Sequence, residues 1–148
     1  MTRGAGLEVQ VSTGSFDAPA ELLEAAARLT LTEEGHGSAE ISVTLLDDEQ
    51  IRRLNAEYLG KDAPTDVLAF ALGDEEAPLG DVYVGVDQAR RQAEELGVPV
   101  TEELVRLVVH GTLHPRGYDH PEGDERESSP MFARQEELVR QALETRRG

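Results

Sequence analysis

Residues 65–86 read TDVLAFALGDEEAPLGDVYVGV, and the short link inside this stretch decides the fold class. TDVLAFAL is a short apolar run of strand type, and LGDVYVGV is a second strand that puts Val82, Val84 and Val86 on one face. The acidic GDEEAP between them is a turn. A parallel pair would need a crossover of about a dozen residues or more, usually a helix, and this link has no room for one. The two strands are therefore expected to form an antiparallel hairpin.

Working outward, LEVQV at 7–11 alternates apolar and polar residues as a strand does. Asp17 and Pro19 then introduce ELLEAAARL, an amphipathic helix. EGHGS at 34–38 is a turn, with His36 as a turn residue, and AEISVTLL is a strand with Ile41, Val43 and Leu45 on one face. Asp47 is placed to cap a helix that carries Ile51, Leu54 and Tyr58 and stops at Gly60. Downstream, Asp87 is expected to cap QARRQAEEL, and Thr101 to cap a helix that turns Leu104, Leu107 and Val108 inward. A last helix begins near Ser129 and Pro130 and buries Leu138, Ala142 and Leu143. Strands and helices interleave up to the hairpin, and only helices follow it, so the sheet should be mixed. The expectation is a single α+β domain spanning 1–148, with about four strands and about five helices.

A chain of 148 residues can bury a substantial core, roughly 70% of the surface exposed when unfolded. Cysteine is absent, so a bound metal would have to be held by His, Asp or Glu. The net charge of −16 argues against a broad electrostatic footprint for nucleic acid, leaving room for local contacts. All the basic residues but Lys61 are arginine, which suits forked contacts to phosphate. The N-terminus has no apolar leader core and no stretch is long enough to span a membrane, so the protein is read as soluble and cytoplasmic, without membrane partners.

The chemistry concentrates in HGTLHPRGYDH, residues 110–120, which holds three of the four histidines. If the preceding helix continues, His110 and His114 project from one face a turn apart. Gly117 can then end the helix, and the chain can swing back to deliver His120. Three neutral imidazoles leave a fourth tetrahedral position for water, the pattern of a catalytic zinc site. Asp119 could orient a ligand or cap the next turn, and Tyr118 reads as packing. The spacing is similar to that of the metzincin proteases, HExxHxxGxxH, but Gly111 stands where the peptidase needs its glutamate base.

The same segment resembles the signature of the YbeY family of bacterial ribosomal RNA maturation factors, HGxLHxxGYDH. LNAEYLGKDAPTDVLAF at 54–70 is similar to that family's LNxxYRxKDxPTDVLSF, and LGDVYV lies where it carries a GDI or GDV strand. The resemblance implies a single-strand-specific endoribonuclease that uses one zinc ion (Zn2+) on His110, His114 and His120. It further implies a role in 3′-end maturation of small-subunit rRNA and in ribosome quality control. Its partners would be single-stranded RNA and the small ribosomal subunit with its associated proteins. Lys61, Thr65 and Asp66 keep the family residues: Lys61 is a candidate charge for the substrate phosphate or an exposed loop lysine, and Thr65 and Asp66 serve either the rim of the site or the turn into the strand.

Three positions depart from the pattern: Leu59 replaces an arginine thought to contact the phosphate, and Pro115 and Arg116 replace residues that are usually apolar. Arg116 could restore some of the missing charge by forking onto a phosphate, or sit as a solvated cation at a helix end. Two other readings stay open. One is a different metallohydrolase, such as a peptidase with its base elsewhere. The other is a non-catalytic ribosome-assembly factor whose structural zinc is closed by Asp119 or an acid from 122–125.

Overall fold

The computed structural model describes residues 6–71, 79–113 and 130–147. In chain order the elements are strand β1 (Leu7–Ser12), helix α1 (Ala20–Glu33), strand β2 (Ala39–Leu46), helix α2 (Asp48–Leu59), strand β3 (Val67–Ala71), strand β4 (Leu79–Gly85), and helices α3 (Val86–Leu96), α4 (Val100–Leu113) and α5 (Pro130–Arg147). The sheet order is β1-β2-β4-β3. β1 and β4 both run parallel to β2, while β3 is antiparallel to β4, with Val67 opposite Val84 and Ala71 opposite Gly80. The expected hairpin and mixed α+β sheet are thus present.

Alternation along the strands separates two faces. Ile41, Val43, Leu45, Val82 and Val84 are buried on one, and Val67 and Ala69 of β3 pack against the same core. Helices α1, α4 and α5 close this face, with α4 at the centre. Leu104, Val105, Leu107, Val108, Val109 and Leu113 are all buried, so α4 presents a broad apolar surface to the core, interrupted by one polar stripe. The opposite face is covered by α2, whose Tyr58 meets Phe70 edge-on at 5.5 Å, with Tyr83 beyond at 6.0 Å.

The helix starts differ from the sequence reading in two places, α3 and α4. At α3, β4 passes straight into the helix at Gly85, so Val86 is helical and not part of the strand, and Asp87 lies in the first turn. The Asp87 carboxylate instead accepts the Asp48 amide at 2.8 Å, capping the neighbouring α2 across the fold. Helix α4 begins at Val100, with the Pro99 carbonyl accepting from the amides of Glu102 and Glu103, so Thr101 falls inside the first turn. Helix α1 starts directly after Pro19 without a side-chain cap and continues past Leu29 to Glu33. Asp47 does cap α2, in a reciprocal box with Gln50, and Gly60 ends that helix.

Candidate active site

The site is built at the C-terminal end of α4, where His110 stands at the edge of the core. That end lies close to the sheet because residue 111 is glycine. A Cβ there would come within 2.5 Å of Val82 Cγ1 and 3.2 Å of Val67 Cγ2. The position after His110 therefore faces the sheet, and the glutamate that a peptidase needs has no space there. This is a packing reason for Gly111 that the motif comparison alone does not supply.

Val67 joins this contact to the turn that leads into β3. Thr65 and Asp66 immediately precede it, and Thr65 Oγ1 lies 3.4 Å from Asp66 Oδ1. The turn sits on the end of β4: the Gly85 amide donates to the Asp66 carbonyl at 2.8 Å, and a Cβ on Gly85 would be 2.3 Å from the Thr65 carbonyl oxygen. Two glycines thus bring the Thr65–Asp66 turn and the His110 end of α4 to the same part of the sheet.

Lys61 is exposed on the loop after α2, and its backbone is held firmly. Its amide donates to the Asn55 carbonyl at 3.2 Å, while the buried Asn55 side chain donates to the Ala63 carbonyl at 2.9 Å. Arg52 adds a bridge to Asp62 and another to Glu49 at 2.7 Å. Asn55 is a structural clamp within the matched block, a role the motif did not announce. Asn55→Ala leaves the Ala63 carbonyl without that donor and is expected to cost about 1–3 kcal/mol. A lowered thermal midpoint, with faster amide exchange confined to residues 60–63, would show this.

Behind His110 lies a polar network in the seam between α3, α4 and α5. His110 Nδ1 is 2.7 Å from Oε1 of Gln135, a residue only 6% exposed. Gln135 Nε2 donates to Glu136 Oε2 at 3.0 Å, and Glu136 is gripped by Arg106 through Nε at 2.8 Å and Nη2 at 3.1 Å. Arg106 also reaches Glu103 at 2.8 Å and Glu102 at 3.0 Å, and Gln92 of α3 donates to Glu103 at 2.7 Å. The nearly inaccessible Glu103 carboxylate is thereby bonded on both oxygens.

Burial alone would push the Glu136 carboxyl up, but hydrogen bonds from Arg106 and Gln135 and the charge of Arg106 together hold it below its ordinary value of 4.5. A folded value below the unfolded one means that ionised Glu136 stabilises the fold above the unfolded value. That contribution drains away as the pH falls through the folded value. Glu136→Gln should therefore flatten the fall in stability on the acid side of about pH 4.5, read from urea midpoints across a pH series.

Gln135 is the site residue that the motifs missed. It lies 25 residues from His110 in sequence, outside any local pattern. One signal was available: with Leu138, Val139 and Ala142 it falls on the buried stripe of α5, where a glutamine needs a partner. The other proposed zinc ligands, His114 and His120, lie outside the described residues, as do Arg116 and Asp119. Leu59, the last residue of α2, is 51% exposed.

A four-stranded mixed sheet, backed by a buried central helix with a hydrogen-bonded imidazole in its last turn, defines a class of small α+β domain. The profile of the endoribonuclease YbeY family matches residues 9–143. An endoribonuclease YbeY from Persephonella marina is 48% identical over 107 residues, 68% of this chain and 69% of its own. Another, from Geobacillus kaustophilus, is 42% identical over 142 residues, 88% of each chain. The solution structure of TM1509 from Thermotoga maritima, 30% identical, superposes with a TM-score of 0.67 over 95% of this chain and 91% of that one. The chain belongs to the endoribonuclease YbeY family.

Proposed function

We propose that this protein is a zinc-dependent, single-strand-specific endoribonuclease acting in 3′-end maturation of small-subunit rRNA and in ribosome quality control, in the cytoplasm. The observation that carries the reading is the seating of His110: a family histidine at a helix end, with one ring nitrogen bonded to a buried amide oxygen. That is the support usually given to a metal-ligating imidazole. His110, His114 and His120 would hold the ion, with Asp119 as a further orienting group. Bound zinc would supply a water acidic enough to ionise near neutral pH. Lys61, on its braced loop, and Arg116 would oppose the negative charge that builds on phosphate, and Thr65 and Asp66 would line the rim. Small-subunit proteins would guide so acidic a chain to its RNA. Among the described residues no helix is long and apolar enough to cross a membrane.

Metal analysis of purified wild type and of His114→Ala, each assayed on unstructured RNA and on casein with and without chelator, tests this. One equivalent of zinc in the wild type and chelator-sensitive cleavage of RNA alone are expected. A metal-free wild type that still cuts RNA would overturn the zinc assignment, and cleavage of casein would favour the peptidase.

Leu59 gives the non-catalytic assembly-factor reading its footing, because it replaces the family's arginine. Its exposure at the end of α2 leaves space for a longer cation. Leu59→Arg is expected to raise kcat/KM for RNA by about tenfold or more. If neither form cleaves and chelation unfolds both, the zinc is structural.

A further inference from the structure

We infer that Gln135 is a positioning residue for His110, and that Glu136 and Arg106 impose the ring tautomer through it. This rests on the zinc reading above for its purpose, but not for its geometry.

An amide side chain can bond a histidine in either of two orientations, and they demand opposite tautomers. With Oε1 towards the ring, Nδ1 must carry the proton, and the ring's lone pair is on Nε2. With Nε2 of the amide towards the ring, the reverse holds. Here the second orientation is blocked from behind. It would turn Gln135 Oε1 onto Glu136 Oε2, 3.0 Å from the atom now in that place, setting an acceptor against a carboxylate. Glu136 cannot easily turn aside, because both of its oxygens accept from the Arg106 fork. Arg106 is in turn fixed by Glu102 and Glu103 of its own helix.

The backbone at 135 is pinned from both sides. Arg134 donates to the Glu34 carboxylate at 2.8 Å and to the Glu33 carbonyl at 2.9 Å, tying α5 to the end of α1. Glu136 ties it to α4. Between these anchors Gln135 is buried and has one orientation that satisfies both neighbours. The amide oxygen therefore sets His110 as the Nδ1–H tautomer before any metal arrives, so Nε2 can act as a ligand without a change of tautomer.

The test uses chelator-treated, full-length protein at about pH 8, well above the ordinary pKa of an imidazole. Side-chain 15N–1H correlation of His110 should show the proton on Nδ1. In Gln135→Leu the population should move towards the Nε2–H form that imidazole favours in water, and zinc affinity, read by competition with a chromogenic chelator, should fall about 10–100-fold. Gln135→Glu keeps an acceptor and should restore both the Nδ1–H form and most of the affinity, even if its thermal midpoint falls beside Glu136. A purely structural role for Gln135 would change the midpoints and leave the tautomer alone, which would overturn the inference. So would an Nε2–H ring in the wild type. If the tautomer is Nδ1–H and no zinc binds, the zinc assignment fails while the positioning role stands.

Discussion

Replacing Gly111 by glutamate, which would write the peptidase motif HExxH into the helix, is expected to unfold the protein instead of giving it peptidase activity. The first obstacle is the Cβ itself, which would lie 2.5 Å from Val82 Cγ1 and 3.2 Å from Val67 Cγ2. These are side chains of two paired strands, and neither strand can retreat without opening the sheet. Overpacking of this kind costs about 1–3 kcal/mol. The second obstacle is the carboxylate, which would be forced against the apolar side chains of Val82 and Val67. A charge buried in apolar surroundings costs several kcal/mol more. The sum is about 5 kcal/mol or greater, comparable with the whole stability of a small domain. Gly111→Ala should be much milder, since a gain of about 1 kcal/mol in helix propensity offsets part of the clash. Denaturant midpoints would rank the forms as wild type, then alanine, then glutamate. A folded Gly111→Glu protein that cleaves casein would show that the helix end can turn this position towards the site.

Gly111 also shows how far the sequence could be read. That a glycine stands where a protease has its base was plain from spacing, and it pointed the chemistry away from peptides. That the same glycine is needed for α4 to rest on Val67 and Val82 depends on contacts between segments distant in sequence, which periodicity does not encode. The hairpin was legible because link length is a local property. The capping of α2 by Asp87 was not, since its hydrogen bond crosses 39 positions, and an aspartate near a helix start is most simply assigned to its own helix. Among the site residues, His110 announced itself through its neighbours in the motif, whereas Gln135 and Asn55 act by bonding groups that the fold alone brings near. Both are buried amides, and a buried amide on an otherwise apolar stripe is the trace such residues leave in a sequence.

The second large effect is expected from His110→Ala, and its interest lies in separating chemistry from folding. If the proposed zinc site is correct, removal of one of its three ligands should lower RNA cleavage at least about a thousandfold, because the ion that would acidify the attacking water would be lost or weakened. The same change leaves Gln135 Oε1 buried without its ring partner, an expected loss of about 1–3 kcal/mol in stability. A fall in activity by itself could therefore be blamed on a weakened fold. Removing both partners distinguishes the two, since replacing each side of a buried hydrogen bond by an apolar group is often nearly neutral. The double variant His110→Ala with Gln135→Leu should recover part of the lost thermal midpoint while cleavage stays at the level of the single variant. Recovery of activity along with stability would mean that His110 serves the fold and that the catalytic metal, if there is one, is held elsewhere.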